Sequence, residues 1–186
     1  MEGLLGFFIG IGLSATCGFR VFVPLLGMSI ASHTGYLELA PGFDWIGSLP
    51  AIITFGTATV LEIAGYYVSW VDNLLDTIAT PAAVIAGTIT TASMVGDVSP
   101  LLQWSLAIIA GGGIAGLVQG SSVLVRGKSS LLSAGFANPV VSTVELVAAV
   151  LGTFVSIVLP FVAIILVLII VFIILRRLFK QRKKPV

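Results

Sequence analysis

Apolar segments recur from residue 3 to residue 175 with only short polar interruptions. Nothing between them is long enough for a separate aqueous domain, so residues 1–175 are expected to form a single transmembrane helical domain. Charged residues make up 9% of the chain, against about 25% in soluble domains. A mean hydropathy of +1.16 agrees. Soluble-enzyme readings are poor from the outset.

The charges are unevenly spread. Six of the nine basic residues (Arg176, Arg177, Lys180, Arg182, Lys183 and Lys184) fall in residues 176–186, directly after the last apolar stretch. Such a tail reads first as a cytoplasmic topology anchor and second as a group that attracts anionic lipid. The remaining chain holds Arg20, Arg126 and Lys128 against eight acids, which leaves no basic face for nucleic acid. With one cysteine, Cys17, and one histidine, His33, neither a disulfide nor a Cys/His metal site can form within one chain. Met1-Glu2 supplies no basic leader, so the first apolar segment is expected to stay in the mature protein.

Six spans are expected. The first, Gly3 to Ala31, exceeds the ~20 residues that cross a bilayer and carries Gly18, Arg20 and Pro24, so it should be tilted or broken. Spans two (from Pro50) and three (from Pro81) each open at a proline, which suits a first helical turn. Between them, Trp70, Asp72 and Asp76 suggest a short interfacial helix or turn. Span four covers Leu101 to Val125 and ends at Arg126-Gly127-Lys128. Residues 139–175 would make one helix roughly 55 Å long, nearly twice the ~30 Å core, so they divide at Pro160 into spans five and six. Six crossings put both ends on one side, and the basic tail makes that side cytoplasmic. Glu38, Asp44 and Asp97 then fall outside. Thr59-Val60-Leu61-Glu62-Ile63-Ala64 resembles Thr143-Val144-Glu145-Leu146-Val147-Ala148, which raises a 3+3 inverted repeat.

Arg20, Glu62 and Glu145 are the charges inside apolar spans, where insertion costs about 2.5–3.5 kcal/mol per charge. One reading is a polar site, with Arg20 balancing one glutamate while the other binds a cation or carries a proton. The other is a buried Arg/Glu pair that locks helices together. Both glutamates should lie roughly 10 Å from the inner ends of their spans. Gly112, Gly116 and Gly120 share one helix face, which suits close helix packing and self-association, with Gln119 near that seam as a hydrogen-bonding residue. No Ser/His/Asp or paired-carboxylate hydrolase set is visible, so an enzyme is not expected.

From Gly18-Phe19-Arg20-Val21-Phe22-Val23-Pro24 onward the chain resembles the bacterial membrane family catalogued as domain of unknown function 4126. Leu61-Glu62, then Val71-Asp72-Asn73-Leu74-Leu75-Asp76 and Thr80-Pro81, are similar to its second motif. The triplet Gly111–Gly113 is similar to the third, and Ala137-Asn138-Pro139 with Ser142 and Glu145 to the fourth. The resemblance implies a small multi-pass helical protein with no established activity, and its matching polar positions are Arg20, Glu62, Asp72, Asp76, Asn138 and Glu145. Gln119 stands where many members carry a histidine, and Leu146 where a second acid is common.

The expectation is therefore an all-α, multi-pass protein of the bacterial inner membrane. It transports or conducts a small ion or solute, with a non-transporting scaffold or lipid-associated assembly factor as the alternative. Its partners are the bilayer, a second copy and the solute. No cofactor or metal is expected.

Overall fold

A computed structural model describes residues 2–96, 98–133 and 138–182. Among these residues the chain is helical with no strand. The elements are α1 (Glu2–Cys17), α2 (Phe22–His33), a 3-10 turn (Asp44–Gly47), α3 (Leu49–Tyr66) and α4 (Ser69–Ala92), followed by α5 (Pro100–Leu106), a π-helical segment (Ala107–Gly112), α6 (Gly113–Ser133), α7 (Asn138–Val158) and α8 (Pro160–Arg182). Five runs of the described residues are long and apolar enough to cross a membrane: Leu49–Tyr66, Leu74–Ala92, Pro100–Ser129, Asn138–Val158 and Pro160–Arg177.

Local chemistry sets most boundaries. Ser48 accepts a hydrogen bond from Ala51 N (3.3 Å) ahead of α3, and Ser99 accepts one from Leu102 N (3.4 Å) ahead of α5. Each is followed by a proline inside the first turn, where its missing N–H costs nothing. Pro160 parts α7 from α8 as expected, with only Leu159 between them. Pro81 does not start a helix. It lies inside α4, so Ser69–Asp76 is helical, as one of the two expected forms allowed, but is the opening of that long helix and not a separate short element. The glycine triplet falls at a π-helical segment that joins α5 to α6, and the helix then continues past Arg126 to Ser133 instead of ending there.

The first apolar segment is two short helices and not one long one. α1 has 16 residues and α2 has 12, about 24 Å and 18 Å of helix, each short of the ~30 Å hydrocarbon core. Their directions follow from their neighbours. Along α4, Gly6 meets Met94, Gly10 meets Thr91 and Ser14 bonds Gly87 O, so α1 and α4 are antiparallel. Along α7, Gly12 meets Ser156 and Gly152 meets Thr16, whereas Gly27 of α2 meets Thr153 and approaches Ile157. α7 therefore runs against α1 and with α2. The two half-helices enter from one face, turn at Gly18–Val21, and return to it.

That hairpin changes the membrane arithmetic. Five candidate spans follow the hairpin among the described residues, so within the bundle α1 begins at the near face and α8 ends at the far face. The expectation of six spans counted the first segment as one, whereas it is two shorter apolar helices, Gly3–Cys17 and Phe22–His33. α3 and α7 run in opposite directions, as an inverted repeat needs, but the hairpin has no counterpart in the continuous α5–α6. Asp97 lies outside the described residues.

α1 is the axis of the bundle. Ile9, Ile11, Leu13, Ser14, Ala15, Thr16 and Cys17 are all buried, as suits a helix that is apolar on every side. Glycines let its neighbours close in: a Cβ on Gly12 would lie 2.4 Å from Ser156 Oγ, and one on Gly18 would lie 2.7 Å from Ala115 O. The seam expected between copies is largely used within the chain, since Gly112 faces Thr88 and Val84, and Gly116 faces Val84. Gly120 faces open space.

Candidate functional site: a charged cluster at the hairpin tip

Non-helical backbone at membrane depth is stable only when every polar group is met by protein or enclosed water. The turn meets that demand through five successive N–H groups. Gly18 N donates to Ala15 O (3.2 Å), while Phe19 N (3.0 Å) and Arg20 N (3.1 Å) donate to Thr16 O. Val21 N donates to Glu62 Oε1 (2.8 Å) and Phe22 N to Glu62 Oε2 (3.1 Å). Glu62, which α3 supplies, thus caps the first turn of α2, where the helix dipole favours a negative charge. Pro24 lies in the same first turn and has no N–H to satisfy.

Arg20 occupies the turn and is 1% exposed. Its Nη2 donates to Ser142 O (2.9 Å) and to Ser142 Oγ, and lies 3.9 Å from Glu145 Oε2. Its guanidinium carbon stands 3.8 Å from the centre of the Tyr66 ring, a stacking that stabilises a desolvated cation. Arg126 is 4.0 Å from the same ring centre. It donates through Nε (3.2 Å) and Nη2 to Glu145, and its Nη1 lies 3.4 Å from Asp76 Oδ1. Ser122 also donates to Glu145. Counting formal charges, Arg20 and Arg126 face Glu62, Asp76 and Glu145, a net of −1.

Four helices and the hairpin turn supply these groups, and all lie in the half of the bundle nearer the far face. Glu62 precedes the end of α3 by four residues, Arg126 precedes the end of α6 by seven, and Glu145 and Asp76 follow the starts of α7 and α4 by seven. At 1.5 Å per residue they sit about 6–10 Å inside those ends. Burial of ion pairs at such depth costs several kcal/mol per charge unless geometry and hydrogen bonds offset it. The bidentate contact of Arg126 with Glu145, supported by Ser122 and Asp76, meets that requirement.

Of the residues singled out from the sequence, Arg20, Glu62, Asp76 and Glu145 come together here. Gln119 is buried on α6, one turn before Ser122, and Asn138 is buried at the first position of α7. Asp72 stands one turn before Asp76 in α4, but its side chain lies outside the described residues. Gly112 and Gly116 hold α6 against α4, away from the charges. Arg126 and Tyr66 were missed. The signal for Arg126 was its spacing: Gln119, Ser122 and Arg126 stand at i, i+3 and i+7, one polar helix face that continues past the apparent end of the span. Tyr66 follows Glu62 by four residues and so shares its face. Among the described residues, no group of three or more His, Cys, Asp or Glu side chains is arranged to hold a metal ion.

A family model described as "Domain of unknown function (DUF4126)" matches residues 7–180. No curated protein and no solved structure matches the chain. The match runs from the second turn of α1 to near the end of α8 and takes in every charge of the cluster. On that coverage the chain belongs to the domain of unknown function 4126 family.

Proposed function

We propose that the protein is a transporter or channel for a small ion or solute in a cytoplasmic (bacterial inner) membrane, and not a catalyst. The hairpin tip is its gate and Glu62 its proton-responsive latch. The observation that carries this is a non-helical turn at membrane depth tied to a buried five-charge cluster. Unwound backbone of that kind is tolerated where it lines a pathway or is packed in protein, and intramembrane charges mark such pathways. A carboxylate from one helix capping a half-helix of another also makes a natural switch. Ionised Glu62 accepts from both Val21 N and Phe22 N, whereas a protonated carboxyl gives up part of that capacity and its attraction to the α2 dipole.

Lys128 and the last turns of α8, which carry Arg176, Arg177 and Lys180, are at the far face, and the near-face loops hold Glu38 and Asp44 but no lysine or arginine. The excess of basic residues supports a cytoplasmic far face, with the start of α1 outside. The cluster then opens on the cytoplasmic half.

In proteoliposomes an imposed pH gradient should drive solute flux through the native protein. Glu62→Gln should abolish the proton-driven component, at least tenfold, while elution volume and helical content stay native. A native protein that moves nothing across a broad panel of ions and solutes would overturn the proposal.

A further inference from the structure

The first turn of α2 is an anion site filled from within. Two backbone amides and the positive end of a 12-residue helix hold the planar pair of oxygens of Glu62. Arg20 precedes those amides in the same turn and is 99% buried, its guanidinium against Ser142 and the Tyr66 ring, and its Nε and Nη1 have no hydrogen-bond partner among the described residues. A buried guanidinium with open donors is an unmet demand for acceptor oxygens. Most threonines of α3, α4 and α7 that bond locally turn their hydroxyls back on their own helix, as Thr54, Thr57, Thr88 and Thr143 do. Thr59 is buried one turn before Glu62, and its hydroxyl has no partner among the described residues.

We infer that the hairpin tip binds a small monovalent oxyanion on Arg20 and the α2 amides, and that the anion enters when Glu62 takes up a proton and releases those amides. The inference rests on the transporter reading and names its substrate class. The ligand's shape is that of the carboxylate it replaces, two oxygens in a plane. While Glu62 is ionised, the same amides cannot serve both anions, and their repulsion in a desolvated site excludes the second. When one proton joins the carboxylate, one anion can join Arg20 and the amides. Only an O–H bond forms, no electron moves, and the cluster keeps its net charge, so the cycle carries proton and anion together without moving net charge.

The groups that bear on Glu62 fit this exchange. Cys17 and Arg20 of the hairpin, Arg126 of α6 and Tyr66 of its own helix interact with it electrostatically. Asp76 of α4 and Glu145 of α7 lie behind Arg126 and neutralise it. Arg20 is left with neutral Ser142 as its direct partner and a carboxylate no nearer than 3.9 Å.

Nitrate is the probe. Thermal unfolding of the detergent-solubilised full chain is followed in nitrate against gluconate at equal ionic strength, from pH 8 to pH 5. The nitrate-specific rise in Tm should grow as pH falls in the native protein, become independent of pH in Glu62→Gln, and vanish in Arg20→Lys. In vesicles, an inward nitrate gradient should acidify the lumen at the same rate whether or not the membrane potential is clamped. A nitrate shift that is absent, or equal at every pH in the native protein, overturns the inference even if Arg20→Lys fails to fold. Flux of cations or neutral solutes with no response to nitrate overturns it and leaves the transporter reading standing. Absence of all flux removes the transporter reading, and the unfolding series still decides for or against the anion site.

Discussion

Arg126→Gln is expected to destabilise the protein by about 3–5 kcal/mol, the cost of leaving a buried charge without its partner. Arg126 touches Glu145 through two nitrogens, lies 3.4 Å from Asp76 and packs on Tyr66. Its loss leaves two carboxylates facing each other in a desolvated site. Arg126→Lys should recover only part of the loss, because an ammonium cannot give the bidentate contact or stack its plane on the ring. The double change Arg126→Gln with Glu145→Gln should be less damaging than Arg126→Gln alone, since it removes one of the stranded charges. Thermal unfolding of the native protein, the single variants Arg126→Gln and Glu145→Gln, and the double variant closes a double-mutant cycle. A single-variant effect below about 0.5 kcal/mol would mean that the pair behaves as a wet surface contact.

Gly111→Leu is expected to prevent folding, and Gly111→Ala to cost about 1–3 kcal/mol by overpacking. The π-helical segment brings Gly111 against α4 so closely that a Cβ would sit 2.5 Å from Gly87 O and 2.3 Å from Thr91 Oγ1. One of these atoms is backbone and cannot turn aside. The control lies two residues away. A Cβ on Gly113 meets nothing within 4 Å, so Gly113→Ala should be neutral or gain up to ~1 kcal/mol from helix propensity. Yields of monodisperse protein and unfolding temperatures compare the three variants directly. Equal tolerance at 111 and 113 would rule out this close approach of α5–α6 to α4.

The sequence made some of this structure legible and concealed the rest for identifiable reasons. The break between Gly18 and Pro24 could be read from glycine, arginine and proline in one apolar run, and the division at Pro160 from length alone. The reversal at the break could not. A 29-residue segment is as compatible with a tilted crossing as with a hairpin, and its direction is decided by remote contacts of Gly6, Gly10, Gly12 and Gly27 with α4 and α7. The same holds for Arg126. Beside Gly127 and Lys128 it has the local character of a span end, and only Glu145, Asp76 and Tyr66, brought from three other helices, make its burial tolerable. Pro81 misled because proline at the start of a helix and proline inside a packed membrane helix have the same local sequence, and tertiary packing chooses between them. Glu62 and Glu145, by contrast, were legible from insertion cost, since a carboxylate in an apolar run must find partners somewhere.

The central structural claim is that the first apolar segment turns back, so that the start of α1 and the end of α8 lie on opposite faces. Single cysteines at Gly3→Cys and Lys180→Cys, each in a Cys17→Ser background, can be labelled in intact cells with a membrane-impermeant maleimide. The hairpin requires that the two positions react from opposite sides, and the basic-residue bias makes position 3 the one that reacts in intact cells and position 180 the one that reacts only after the membrane is opened. Equal protection of both positions in intact cells would mean that the segment crosses, and would contradict the hairpin and the gate built on it.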